Sequence, residues 1–200
     1  MTSAQGQRVA LALAAGGAPS RSAAAALFPE VEPLTYTGAE MRPSEPFRGA
    51  LFSALGALRA GACVGLVVPL ASMRPAEAGG APPHCLIAVT DHINASLRSP
   101  LCGRWPAAVP RSFPALAGIY QPDFVRARGG PRVYSAEVVA GVSDATHLTE
   151  FEAGVVRSSG IRVVSDTLVP AAIIAAYYGL TLAVCGVPQA DDRDNERGWS

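Results

Sequence analysis

The sequence predicts a single α/β domain with a mixed, mostly parallel central sheet flanked by helices. Three observations carry that expectation. Half of the 200 residues are hydrophobic and the formal net charge is zero, which is enough apolar material for one sizeable core. Short apolar runs recur at 63–70, 85–90, 161–165 and 181–186, and continuous β-branched runs of that kind suit strands covered on both faces. Between them lie stretches of roughly 10–12 residues with helical spacing that end on glycine.

Arg8–Ala15 reads as a short buried strand, and Gly16-Gly17-Ala18-Pro19 as the turn after it. Residues 1–28 are rich in Ala and Ser, lack acids and loosely resemble a transit peptide. They have no charged-then-apolar signal layout, so the strand reading fits better. Residues 29–46 hold four prolines and several acids, which suits a loop or weak edge structure. Phe47, Leu51, Leu55 and Leu58 share helical spacing, and Gly61 stops that helix. Cys63–Leu70 is a buried strand, and Pro75–Pro83 is a loop. Cys85–Thr90 is the next strand and delivers Asp91-His92-Ile93-Asn94 at its C-terminal end.

Residues 95–114 are irregular, with Pro100, Pro106, Pro110 and Pro114. Arg132–Val142 reads as a strand. Ser143 or Thr146 caps a helix ending near Ser158, and Gly160 closes it. Ile161–Ser165 is another strand. Pro170 sits near the first turn of a helix through Ile173, Ile174 and Tyr177 to Gly179. Thr181–Gly186 is the last strand. Residues 1–188 thus form one domain, and 189–200 form a polar, flexible tail.

Composition narrows the function. All 16 cations are arginine and lysine is absent, which removes Schiff-base chemistry and a Walker-type lysine. The bias itself reads as the mark of a GC-rich genome. Zero net charge argues against nucleic acid as a partner. No run of about 18 apolar residues escapes a charge, a proline or a turn, so no membrane span is expected. Cys63, Cys85, Cys102 and Cys185 are widely spaced and form no Cys-x-x-Cys pair. Buried reduced thiols are the reading, which places the protein inside the cell, in the cytoplasm rather than the nucleus. His84-Cys85 with His92 and Cys102 makes only a weak zinc pattern, since zinc needs clustered ligands, and no metal or cofactor is expected.

Ligands in open α/β sheets sit at the C-terminal ends of strands. Four segments lie at such ends: 14–17, 70–73, 91–94 and 143–146. The carboxylate and imidazole of Asp91-His92 suit acid–base work, or a turn held by side-chain bonds to the backbone. Gly16-Gly17 can offer N–H groups to an anion, although the sequence signals no helix cap after it. Ser72, Ser143, Ser165 and Thr167 are candidate phosphate donors.

Several motifs resemble the trimeric purine nucleoside phosphorylases. Thr90-Asp91-His92-Ile93-Asn94 followed by Ser99-Pro100-Leu101-Cys102-Gly103 is similar to that family's "DHIN … NPLxG" stretch. Ser112-Phe113-Pro114-Ala115-Leu116 with Tyr120 resembles "RFPxMSDAYD". Residues 140–146 resemble "AGPxFET". Val169-Pro170, Ala175, Gly179 and Leu180 match "TVPEVxxARxxGL" without a gap. The order agrees, and the likeness runs over residues 48–188.

The resemblance implies the phosphorylase fold, but its chemistry transfers poorly. The family's "GSGLG" phosphate loop is matched by Ala14-Ala15-Gly16-Gly17-Ala18, which has no hydroxyl. The region 40–46 lacks the family's Arg, His and Tyr pattern. "TNAAGG" becomes Pro69-Leu70-Ala71-Ser72-Met73-Arg74. The base-stacking aromatic and the purine-binding Glu of "FET" become Asp144 and Ala145, and the phosphate serine becomes Thr167. Gln189 lies near the position of a purine-binding Asn, and the closing C-terminal helix has no counterpart, which implies a shortened domain. Ala71, Ser72, Asp91, His92, Asn94, Asp144, Ala145, Thr167 and Gln189 are therefore expected to line a vestigial pocket. Each lost charge-stabilising donor costs about 10²–10³ in rate.

The expected protein is thus a phosphorylase-like domain that has lost phosphorolysis and works by binding a protein partner. Capture of a host enzyme by a large DNA virus fits that pattern. A second reading is a retained or substrate-shifted nucleoside phosphorylase or hydrolase using Asp91, His92, Asp144, Thr167 or Gln189, with a purine nucleoside or phosphate as ligand. A third is a homo-oligomeric scaffold, a trimer in the family, with Phe113, Pro114 and Tyr120 at its interface.

Overall fold

Alternation along the strands divides the apolar residues between two sides, and that division sets the architecture. A computed structural model of the chain describes residues 8–36, 53–73, 85–97, 99–101, 114–145 and 147–189. The strands are β1 (Leu11–Ala15), β2 (Leu34–Tyr36), β3 (Cys63–Ser72), β4 (Leu86–Asn94), β5 (Val133–Gly141), β6 (Val163–Ser165) and β7 (Thr181–Pro188). The helices are α1 (Ala18–Leu27), α2 (Pro122–Gly129), α3 (Glu150–Ser158) and α4 (Leu168–Tyr177). A helical turn also covers residues 53–56.

Val64, Leu66 and Val68 of β3 join Leu182 and Val184 of β7 in the core cluster completed by α4. Their alternates Cys63, Val67, Ala183 and Cys185 pack instead with Leu27 and Phe28, at the end of α1, and Phe124 of α2. Gly65 is the close-approach point on that side. A Cβ there would lie 2.6 Å from the Phe28 ring, so only glycine lets the ring approach β3 this closely. α4 is buried all round except at Pro170, as befits a helix with no polar face.

The sheet is mixed, in the order β2-β1-β3-β6-β5-β4-β7, with β3 also paired to β7. β1, β2, β3 and β7 run parallel to their neighbours within one group, and β4, β5 and β6 within another. The groups meet antiparallel at β3–β6 and β4–β7. The β3–β7 pairing therefore closes β3, β6, β5, β4 and β7 into a barrel-like ring. This corrects the open sheet assumed from the alternating pattern: closure depends on which strand edges meet, and periodicity does not report that.

Other departures are local. The Gly16-Gly17 turn leads straight into α1, with Gly17 at its N-cap and Pro19 in its first turn. α2 was not anticipated, though Pro122 and Asp123 open it and arginines close it, a regular start-and-stop pattern. β4 continues through Asp91–Asn94, which are strand residues and not a turn beyond it. α3 starts later than Ser143. Its N-cap is Thr149, whose side chain accepts from the Glu152 N–H while Glu152 reaches back to the Thr149 N–H. That reciprocal box satisfies two otherwise orphaned donors, which is why the helix starts there. Thr146, residues 47–52 of the first expected helix, and 190–200 of the expected tail lie outside the described residues.

Arg128 ties α1 to α2. It donates to Leu27 O (3.2 Å) and to Glu30 (2.6 Å), and lies 4.8 Å over the Phe124 ring. That hydrogen bond is the main reason the Glu30 carboxyl titrates below its ordinary value of 4.5. A depressed carboxylate contributes stability above its ordinary value and loses it as pH falls through the folded one. Arg128→Ala is expected to cost about 1 kcal/mol at pH 7, discounted for the exposure of the pair. The gap between variant and parent should narrow below pH 4 in denaturant titrations; a gap independent of pH would contradict the assignment.

Candidate functional site

The opposed strand groups divide the expected pocket residues among three places. The first is a cleft of ≈ 310 Å³ lined by Gly17, Pro19, Ser20, Pro69, Val187, Pro188 and Gln189. It sits beyond the ends of β1 and β7, beside Pro69 of β3. Gly16 has φ +82°, a conformation glycine adopts without strain, and this lets the chain turn from β1 into α1 within two residues. Gly17 caps α1 with no side-chain bond, so the first N–H groups of the helix have no side-chain acceptor there. Ser20 is 3 % exposed, and its hydroxyl meets no hydrogen-bonding partner among the described residues. The Gln189 N–H donates to Leu70 O (2.9 Å), which anchors the far wall. Of the nine pocket residues expected from sequence, Gln189 is the one in this cleft.

The second place lies where β5 and β6 end side by side, with Gly141 opposite Ser165 and the Val142 N–H donating to Ser165 O (3.0 Å). The tail of β3 runs antiparallel beside it, with Ala71 opposite Val164 and Ser72 opposite Val163. Ala71 and Ala145 pack against the apolar cluster of Met73, Val142 and Val156, so they help to fill this corner. Thr167 and Ser165 are buried and share a hydrogen bond (3.2 Å), and the Thr167 N–H donates to Ser165 Oγ (3.3 Å). Asp144 meets His147 at 2.8 Å. Asp166 titrates above its ordinary value, because burial disfavours the carboxylate and Asp144 adds repulsion. The two acids thus stand near the ends of neighbouring strands, where the Asp144 carboxylate disfavours ionisation of Asp166.

The third is the end of β4. The β4–β5 register slips by one residue between Val89 and Asp91, a bulge at Thr90. The Thr90 hydroxyl donates to Glu137 O (3.0 Å) across the irregularity. Beyond it the fully buried strand switches to alternation, with Asp91 and Ile93 outward and His92 half-buried. His92 Nδ1 lies 2.6 Å from the Tyr120 hydroxyl, and the rings meet edge-on with centroids 5.7 Å apart. The hydroxyl of Ser96 donates to Asn94 Oδ1 (2.7 Å). Burial holds His92 below its ordinary value and Asp91 pushes it back up, while burial drives Tyr120 far upward. Tyr120, expected at an oligomer interface, spends its hydroxyl inside the chain. Pro114 is half-buried, and Phe113 lies outside the described residues.

Sequence reasoning missed Ser20 and the prolines of the cleft. The available signal was Pro19 two residues after Gly-Gly, followed by an alanine run, which marks a helix start.

No protein-family model matches the chain, and no curated protein sequence does. Solved structures do match. Schistosoma mansoni purine nucleoside phosphorylase with adenosine superposes at TM-score 0.51 and 19% identity, covering 62% of this chain and 47% of that one. The same enzyme with a monocyclic inhibitor gives TM-score 0.52 at 18% identity, covering 66% and 53%. The chain shares the purine nucleoside phosphorylase fold. It spans about half the length of the solved phosphorylase chains it matches. At this identity the likeness establishes the fold alone, which agrees with the expectation set by the sequence motifs. No described helix is long and apolar enough to cross a membrane.

Proposed function

We propose that this chain is a phosphorylase-fold protein that does not carry out phosphorolysis and acts by binding. The observation that carries this reading is the lining of the cleft. Among the described residues there, none is Asp, Glu, His or Arg. Phosphorolysis needs a cationic cradle for phosphate and an acid that hydrogen-bonds the departing purine, and neither is at hand in that lining. Asp144 and Asp166 are not among the lining residues; they sit at the ends of β5 and β6, beside the apolar cluster of Met73, Val142 and Val156. The partner that fits this reading is a protein bound by the outer surface. The test is incubation with inosine or guanosine plus phosphate. Free base is expected to form at least about 10⁴-fold more slowly than in a typical enzyme, and turnover at enzyme-like rates would overturn the reading.

The Ser20 hydroxyl favours a narrower second reading, in which the cleft still holds phosphate at the α1 N-terminus without turning it over. The cleft lies at the small end of the ligand-site range. Phosphate at about 10 mM should then raise the melting temperature by a few degrees, and Ser20→Ala should abolish the rise. An equal rise in the variant would remove this reading and leave the first untouched.

A further inference from the structure

The two motifs that carry the sequence resemblance, Asp91–Asn94 and the segment ending at Tyr120, are joined by a hydrogen bond between His92 and Tyr120. Among the described residues, β4 pairs with β7 where Ile87 and Ala88 face Gly186 and Cys185. The bulge at Thr90 follows. Residues 119–121 lie against the earlier part of β7: Tyr120 bridges Leu182, the Gln121 N–H donates to Leu182 O (2.7 Å), and the Leu182 N–H donates to Ile119 O (2.7 Å). The His92–Tyr120 bond (2.6 Å) ties this added strand back to β4.

We propose that His92 and Tyr120 form an acid-released latch. Neutral His92 holds residues 119–121 against β7, and its protonation loosens them.

A phenol carries one hydrogen. With neutral His92, Nδ1 accepts that hydrogen and Nε2 carries the ring proton. Once Nδ1 is protonated it must donate, the Tyr120 oxygen must accept, and the phenol hydrogen needs a new acceptor. Tyr120 is 8 % exposed, and among the described residues its hydroxyl has no second partner. Acid therefore leaves a buried O–H unsatisfied beside a half-buried cation, and both are costly. The charge that acts on the pair is that of Asp91, the neighbouring outward residue of β4 itself. Val139, opposite His92 on β5, and Leu182 on β7 carry no charge, nor do Ile119 and Gln121.

The sign follows from burial. His92 titrates below its ordinary value of 6.5. A base with a depressed folded value gives its full contribution above the ordinary value, and the latch weakens as pH falls below 6.5 toward the folded value.

Hydrogen exchange at the Gln121 and Leu182 amides reads the latch directly. In the unmodified chain, their protection, corrected for intrinsic exchange, should fall about tenfold from pH 7 to pH 5. Amides of β3 should not follow. His92→Asn keeps an acceptor oxygen near the Nδ1 position but does not titrate. It should retain protection at pH 7 and abolish the pH dependence. Tyr120→Phe should be unprotected and flat across the range. Asp91→Asn should move the midpoint to lower pH, a shift that a purely structural role for His92 would not produce. Circular dichroism confirms that each variant is folded. A flat profile in the unmodified chain, or a transition that survives in folded His92→Asn, overturns the latch.

Discussion

Gly141→Ala is expected to destabilise the protein by about 3 kcal/mol, the upper part of the usual range for overpacking. A Cβ at position 141 would overlap Val169 Cγ2, lie 2.9 Å from Val169 Cβ and stand 3.4 Å from Ile93 O. Val169 is 2 % exposed and β-branched, so it has no free rotamer to retreat into. Either α4 lifts from β5 or the β4–β5 pairing opens at Ile93. For a chain of this length the melting temperature should fall by about 10 °C. The double variant with Val169→Ala should be more stable than Gly141→Ala alone, because the overlapping methyl is gone. The relief is partial, since the 2.9 Å contact involves Val169 Cβ, which alanine keeps. Additive losses across the cycle would show that the two sites are not coupled. Gly141 thus fixes how closely α4, and with it Thr167, approaches the end of β5.

The fold class was legible because the strands are short apolar runs and their glycine-ended helices alternate with them. Positions such as Cys63–Leu70 and Thr181–Gly186 can be read as buried strands from composition alone. β2 was foreseen only as weak edge structure. Three residues with an exposed Leu34 carry no periodicity, and their strand state depends on pairing with β1. α1 was missed because alanine and serine make almost no hydrophobic stripe. Its buried residues Ser20, Ala24 and Leu27 lie on one face, but one of them is polar and one is small. Closure of the ring was invisible for a different reason: it rests on β3 pairing with β7 along eight register positions, a relation between residues more than 100 apart.

The site was legible in pieces. Asp91, His92 and Tyr120 were each singled out from their motifs, yet their junction depends on the bulge at Thr90. Without that bulge the outward and inward faces of Asp91–Asn94 would exchange. Ala71, Asp144, Ala145 and Thr167 were read as neighbours, and the pairing of β3 with β6 and of β5 with β6 does bring their strand ends together. What sequence could not convey is that this corner is apolar-packed and acidic while the cleft opens elsewhere, beside Ser20 and Gln189. Packing density is a property of the assembled chain, and the residue types at those positions are compatible with either outcome.

Guanosine phosphorolysis by this protein should run at least about 10⁴-fold below a typical enzyme turnover of about 10 s⁻¹. Phosphate brings negative charge, and its attack develops more on the departing base. A preorganised donor aimed at such charge is worth about 10²–10³ in rate. Among the described lining residues, two groups offer polar side chains, the Ser20 hydroxyl and the Gln189 amide, and neither is charged. The phosphate cradle and the purine acid act on different parts of the reaction. Their losses therefore multiply more nearly than those of a coupled triad, whose members fail together. Two losses give about 10⁴, so turnover falls to about 10⁻³ s⁻¹, or one event in roughly a quarter of an hour. Chromatographic detection of guanine over several hours reaches that level. Ser20→Ala and Gln189→Ala should leave any residual rate unchanged, because neither side chain meets the charge that develops. A drop of tenfold or more in either variant would mean that the cleft still holds reacting substrate, and the binding-only reading would fall.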